Sequence, residues 1–252
     1  MAGERRGRAA MSVDPRPGVI GRRLERVERI VAVTGGKGGI GKSAASSCLA
    51  LALAQEGRRV GLLDLDLTGP CDHLILGAET GFPEEDFGVV PPEVAGIRFM
   101  SVAHFCGAEP LPLRGEDVSN ALIELLTIVQ WRELDFLVVD MPPGLGDTLL
   151  DAVRLLRQAE YLVLATASPV VLGTVTRAVR LLRQMGVPVL GVLENMARQE
   201  DQRVAVMARA AQLPFLGSLP YDPGLEQAMG DPAALVRTRF GRALAALARS
   251  GL

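Results

Sequence analysis

Lysine is almost missing from this chain. Lys37 and Lys42 are its two lysines among 27 basic residues, and arginine carries every other positive charge. Cysteine is scarce as well. Cys48, Cys71 and Cys106 are odd in number and widely spaced, which excludes a disulfide framework and suits a reducing compartment. No apolar run reaches the ~18 residues of a membrane span. The N-terminal arginines have no apolar segment behind them, so no secretory signal is expected and the cytoplasm is the expected location. Excess charge of one sign is absent too: a formal net charge of −2 excludes nucleic-acid binding by the molecule's overall charge.

What is present is apolar. With 252 residues, 48% of them hydrophobic, the chain can bury one large core. Residues 1–29 hold eight arginines against four acids. Residues 1–23 read as a disordered basic leader, a solvated tail rather than a nucleic-acid contact, and residues 24–252 as a single domain. Leu24 to Arg29 is expected to form a short helix.

Both lysines fall in one stretch, Gly35-Gly36-Lys37-Gly38-Gly39-Ile40-Gly41-Lys42-Ser43. An apolar strand, Ile30 to Val33, precedes it, and an Ala/Leu-rich helix, Ala44 to Gln55, follows and stops near Gly57. Gly36 to Ser43 fits G-x-x-x-x-G-K-[ST] at every fixed position, in the strand–loop–helix context that a phosphate-binding loop requires. The glycines let backbone N–H groups turn inward, and the helix start adds its positive dipole end. The expected roles follow: Lys42 on the β/γ-phosphates of ATP, and the Ser43 hydroxyl on Mg²⁺. Keeping lysine here in an arginine-rich chain points to a pocket that admits a slim ammonium but not a planar guanidinium. The motif accounts for Lys42. Lys37 needs a reason of its own, or is there by chance.

Acids recur at the ends of predicted strands. Arg59 to Leu65 leads into Asp64-Leu65-Asp66, and Phe136 to Val139 into Asp140. In an open parallel sheet such ends face the ligand. Spacing i, i+2 on a strand would aim Asp64 and Asp66 the same way, toward phosphates or their metal, although an Asp-x-Asp at a strand end also serves to cap a turn. Asp140 is expected to hold Mg²⁺ through water. The following Pro142-Pro143-Gly144 suits a switch loop, with Asp147 capping the next helix.

Residues 77–96 lack periodicity and read as a surface excursion. Further strands are expected at Ile97–Val102, Tyr161–Ala165, Val187–Leu193 and Phe215–Leu219. Helices are expected at Val118–Val129, Thr174–Met185, Gln202–Ala211 and Pro232–Arg249. Repeated strand–helix units predict an α/β fold: a single-domain P-loop NTPase, its mostly parallel sheet flanked by helices on both faces.

These residues resemble the Mrp/ApbC branch of the deviant-Walker P-loop ATPases, kin to MinD, ParA and the nitrogenase iron protein. The resemblance spans about residues 28–248. It rests on Gly36 to Ser43, Asp64 to Pro70, Arg114-Gly115, Trp131 to Gly144, Glu194-Asn195-Met196 and Pro214 to Asp222. It implies that Lys37 reaches the ATP of a partner subunit, so that a homodimer sandwiches two nucleotides. It also implies Asp66 as the water-positioning acid and Asp140 as the metal-side acid; Asp64, from its strand-end place, is expected beside the metal too, and Ala44 with the loop around the phosphates. Asn195 would read adenine, and Pro220 to Asp222 would lend backbone to the same pocket. The family handles metal clusters for a client apoprotein; the MinD and ParA branches act on membranes or DNA instead, and a regulatory nucleotide-binding subunit is a third reading.

One departure stands out. Relatives of the Mrp type carry Cys-x-x-Cys soon after Glu-Asn-Met, and two such pairs bridge a [4Fe–4S] cluster. Here Ala197 to Arg203 contains no cysteine. An iron–sulfur cluster therefore lacks its usual ligands. Cys71 with His73, and His104 with Cys106, offer another soft-ligand set, suited to zinc, nickel or iron. Cys48 reads as core. The last helix, with Phe240, Leu244 and Leu247 on one face, reads as packed on its own sheet rather than on a membrane.

Overall fold

The computed structural model describes residues 14–106, 113, 115–198 and 201–251. Arg114 and residues 1–13 of the expected leader lie outside them, as do residues 199 and 200. The chain opens with α1 (Arg16–Leu24), β1 (Val27–Thr34), α2 (Lys42–Gln55), β2 (Val60–Asp64) and α3 (Asp72–Leu76). Next come β3 (Glu93–Val94), β4 (Ile97–Ser101), α4 (Ala103–Cys106), α5 (Glu116–Ile128), β5 (Leu134–Asp140) and α6 (Asp147–Leu155). Then follow β6 (Glu160–Ala165), α7 (Pro169–Gln184), β7 (Val189–Ala197), α8 (Arg203–Ala210) and β8 (Phe215–Pro220). The chain closes with α9 (Gly224–Gln227), α10 (Pro232–Leu235) and α11 (Arg239–Arg249).

The eight strands form one sheet in the order β3-β4-β2-β5-β1-β6-β7-β8. All neighbours are parallel except β3 and β4. Right-handed crossovers decide where the helices go. From β1 the chain moves one way, through α2 to β2 and past α3 to β4, and the later parallel crossovers run the other way, through α5, α6, α7 and α8. Helices therefore cover both faces: α11 packs beside α2 on one, while α5 meets α6 and α7 meets α8 on the other. Strands covered twice must be apolar on both sides. β2 is buried at every residue, and β1 from Ile30 to Thr34.

Several expected boundaries move. Residues 16–23, read as leader, form α1, which buries Ile20 and Leu24 and packs on α5; the arginines between them stay outside. The short helix expected over Leu24 to Arg29 is absent because Val27 already pairs with Leu134. The single last helix is two, α10 and α11, since Thr238 takes extended backbone and restarts the helix by accepting from Gly241 N at 2.8 Å. Asp147 is the first residue of α6, not its cap; Gly146 holds that place. β7 runs on to Ala197, so Asn195 sits inside a strand rather than at its end. Cys48 is core, as expected.

Candidate nucleotide and cation site

β1 stops at Thr34 and the chain bends over the helix start at Lys42. This turn is made possible by positive φ at Gly39 (75°) and Gly41 (85°), which side chains resist. Gly36 answers a different demand: a methyl there would lie 2.4 Å from Thr174 C and 2.6 Å from Val175 N, backbone atoms of α7. No side chain caps α2, leaving its first N–H groups and its dipole directed into the loop. Lys42 is buried beneath the loop, whereas Lys37, Gly38 and Gly39 are exposed at its tip. One lysine is inside and one faces outward.

β5 lies between β1 and β2, so Asp140 ends beside the loop and opposite Asp64. Ser43 Oγ donates to Asp140 Oδ2 at 2.6 Å, and Ser46 Oγ donates to Asp140 Oδ1 at 3.0 Å. Asp64 accepts from Asp66 N at 3.0 Å and Ser101 Oγ at 3.2 Å. A third acid, Asp72 at the start of α3, accepts from Ser47 Oγ at 2.6 Å. One carboxylate oxygen each of Asp64, Asp72 and Asp140 lies within 4.8 Å of the other two. Burial, with Asp140 beside it, pushes Asp64 up to about 7. Burial likewise holds Asp72 well above the usual carboxylate range. Asp140 is raised by burial too, against the pull of Lys42, Ser43 and Ser46. Like charges gathered out of water favour a cation among them, and donors that are all oxygen fit a hard divalent ion.

Asp66 stays apart from this group. β2 ends at Asp64, so the strand alternation no longer governs Asp66, which accepts from Thr68 Oγ1 at 2.9 Å and Gly69 N at 3.1 Å. It caps its own turn at the mouth of the site, near enough to act on Asp64 and Asp140.

The Asn195 amide faces the phosphate loop. Its Nδ2 donates to Ile40 O at 2.7 Å, while its Oδ1 accepts from Met196 N at 2.8 Å. Asp222, next to Pro220, accepts from Gly224 N at 3.0 Å and from Arg239 N at 2.7 Å, holding the start of α11. A cavity of about 860 Å³ opens beside these elements, between the ends of β6 and β7, and is lined by Thr166, Ser168, Glu194, Met196, Arg198 and Arg203 among others.

The soft-ligand set does not assemble. Among the described residues, the group of three or more metal-capable side chains is Asp64, Asp72 and Asp140; Cys71, His73, His104 and Cys106 form none. Three of the four have other contacts. Cys71 turns to Ser43 and burial lifts its thiol to about 11, Cys106 donates to Val102 O at 3.4 Å, and His104 packs on the Phe99 ring. A thiol held protonated is a poor ligand. Asp72 is the residue that sequence reasoning missed. Its one signal was a third aspartate in the run from Asp64, with nothing local to mark it as buried.

A glycine loop between a central parallel strand and its helix, its serine bonded to the acid of the adjoining strand, defines a P-loop NTPase. The family model described as ParA, NUBPL iron-transfer P-loop NTPase, matches residues 26–248, and the chain belongs to that family. It is 43% identical over 178 residues to an iron-sulfur cluster carrier protein of Pseudomonas fragi, covering 69% of this chain. The chain spans only 62% of that carrier's length. It is 33% identical over 234 residues to the cytosolic Fe-S cluster assembly factor Nubp2 homolog of Drosophila ananassae, covering 84% of this chain and 90% of the relative. Among solved structures, a nucleotide-binding protein from Archaeoglobus fulgidus in complex with ADP shares the fold with a TM-score of 0.72. It is 27% identical, and the match covers 87% of this chain and 92% of that one.

Proposed function

We propose that this chain is an Mg²⁺-dependent ATP-binding and ATP-hydrolysing switch of the Mrp type, working as a homodimer in the cytoplasm on a client apoprotein. The observation that carries the reading is the Ser43–Asp140 hydrogen bond of 2.6 Å beneath an uncapped helix start. In it the hydroxyl of the loop and the acid of the adjoining strand are already paired where a cation would join them.

Gly36, Gly38, Gly39, Ile40, Gly41 and Ala44 belong to the backbone that wraps the phosphates, and Lys42 supplies the buried ammonium. Ser43, Asp64 and Asp140 would hold Mg²⁺, which when bound offsets phosphate charge. Asp66, half-exposed at the mouth, orients water for attack on the terminal phosphate once its turn yields. Exposed Lys37 reaches the phosphates of the partner copy, where its charge acts on the leaving group. Base reading by Asn195 requires its amide to leave Ile40; Pro220 and Asp222 then border the base.

The names of the relatives support metal-cluster handling as the process served. The residues of this chain do not fit the cluster itself, since Ala197 to Arg203 carries no cysteine and, among the described residues, no thiol belongs to a metal-capable group of three or more.

Titration calorimetry with MgATP tests the reading. Wild type should bind, Lys42→Ala should lose measurable binding, and Asp66→Ala should bind yet turn over about 100-fold more slowly. Absence of ATP uptake by wild type, or unchanged turnover in D66A, overturns it.

A further inference from the structure

The three buried carboxylates come from three separate places: the end of β2, the start of α3 and the end of β5. Asp72 is wholly buried, and while its Oδ1 is anchored by Ser47, its Oδ2 has no hydrogen-bond partner. Among the described residues none of the three acids belongs to an ion pair. Lys42 acts on Asp72 and Asp140 from nearby, but its ammonium is the group that phosphates would claim. Once it turns to them, the three acids need another positive charge.

We infer that Asp72 is a third carboxylate of the cation site, and that Asp64, Asp72 and Asp140 together take up one Mg²⁺ or Mn²⁺ before any nucleotide arrives. This rests on the reading of Ser43, Asp64 and Asp140 as the residues of the cation. It differs from that reading in a way that matters: a loop serine and two strand-end acids hold a cation together with the nucleotide's own phosphates, whereas a third carboxylate lets the acids hold it before the nucleotide arrives. Oxygen donors without thiolate or imidazole select hard ions, and a small cage with several carboxylates suits Mg²⁺ and Mn²⁺. Ser47 plays a part as well. Its hydroxyl fixes one Asp72 oxygen and so sets the orientation of the carboxylate, whose other oxygen has no hydrogen-bond partner. The cation would then be a standing feature of the fold, and ATP would meet a site already charged.

The experiment follows free Mn²⁺ by electron paramagnetic resonance while nucleotide-free full-length protein is added, and repeats it with Asp72→Asn. This substitution keeps the shape of the side chain and leaves an amide oxygen that can still accept from Ser47. Wild type should remove one Mn²⁺ per chain from solution, Mg²⁺ should compete, and D72N should bind about 10–100-fold more weakly. Calorimetry with MgATP on wild type separates the two readings. Loss of ATP uptake in wild type, with Mn²⁺ still taken up, sinks the nucleotide reading and leaves the cage standing. The inference is overturned if nucleotide-free wild type takes up no Mn²⁺, if uptake needs ATP, or if D72N matches wild type. Should circular dichroism show D72N unfolded, Ser47→Ala replaces it, with the same weakening expected.

Discussion

At Asn195 both ends of the amide are engaged before a nucleotide arrives, one with Ile40 O and one with Met196 N. Because β7 carries Asn195 to within reach of Ile40, the bond ties the phosphate loop to a strand two places along the sheet from β1. Removing it with Asn195→Ala should cost about 1 kcal/mol, which lowers Tm by about 2–4 °C in a chain of this size. A loop-holding residue and a base-reading residue differ in one measurable way. If Asn195 holds the loop, ATP and GTP affinities should fall by the same factor in N195A; a selective loss of ATP would return the residue to the base pocket. Asp64 makes a second prediction, on pH. Burial and Asp140 lift its carboxyl to about 7 from 3.8, so the folded chain keeps a proton that the unfolded chain releases. Its contribution to stability is therefore complete below 3.8 and lost as pH rises through about 7. With EDTA present, Tm of wild type minus that of Asp64→Asn should decline across this interval, and a flat difference would contradict the assignment. What the sequence told at this scale was chemistry tied to backbone pattern: Gly36 to Ser43 and Asp140 were legible because spacing and strand ends announce them. Asp72 and the position of Asp66 were not, because burial and turn geometry depend on residues distant in the chain.

The helical and strand elements show where periodicity succeeds and fails. Continuous apolar runs, helical apolar spacing and a glycine stop located β2, β5, β6, α2 and α5 to within a few residues, because local sequence carries their burial. The C-terminal region defeated the same reasoning. Apolar residues recur at helical spacing from Ala233 to Leu247, yet Thr238 breaks the run by its own extended backbone. The restart is held from two sides, by Thr238 Oγ1 on Gly241 N at 2.8 Å and by Asp222 Oδ2 on Arg239 N at 2.7 Å. Each bond satisfies an N–H that the first turn of α11 cannot pair. Thr238→Ala should therefore cost about 1 kcal/mol and Asp222→Ala a similar amount, read as falls in Tm by thermal unfolding. Because the two acceptors serve the same turn, the double variant should lose less than the sum of the singles. Strict additivity would mean that the two bonds act independently. The helix α1 was hidden for the opposite reason: Ile20 and Leu24 are too few to give a pattern amid five arginines between Arg16 and Arg29, and only packing against α5 reveals them.

For the whole molecule, the sheet order places the acids of the site and the phosphate loop along the carboxyl-terminal edge of the central strands β2, β5 and β1, with Lys42 buried and Lys37 exposed. Lys37 is exposed at the tip of the loop. The other lysine already stands by the acids. Two copies facing one another through this edge would give each exposed lysine a terminal phosphate across the interface, and would exclude water from the reacting oxygen atoms. The arginine-rich composition bears on this directly. An arginine at position 37 would carry the same charge on a wider, planar group, and in the proposed dimer it would have to enter between two loops. So size-exclusion chromatography with light scattering should find Asp66→Ala shifted to a dimer by MgATP and returned to monomer by MgADP. Lys37→Ala in that background should stay monomeric although calorimetry still records ATP uptake, and Lys37→Arg should not rescue it. A K37A protein that dimerises as well as its parent would place the interface on another face and leave the exposed lysine without a task.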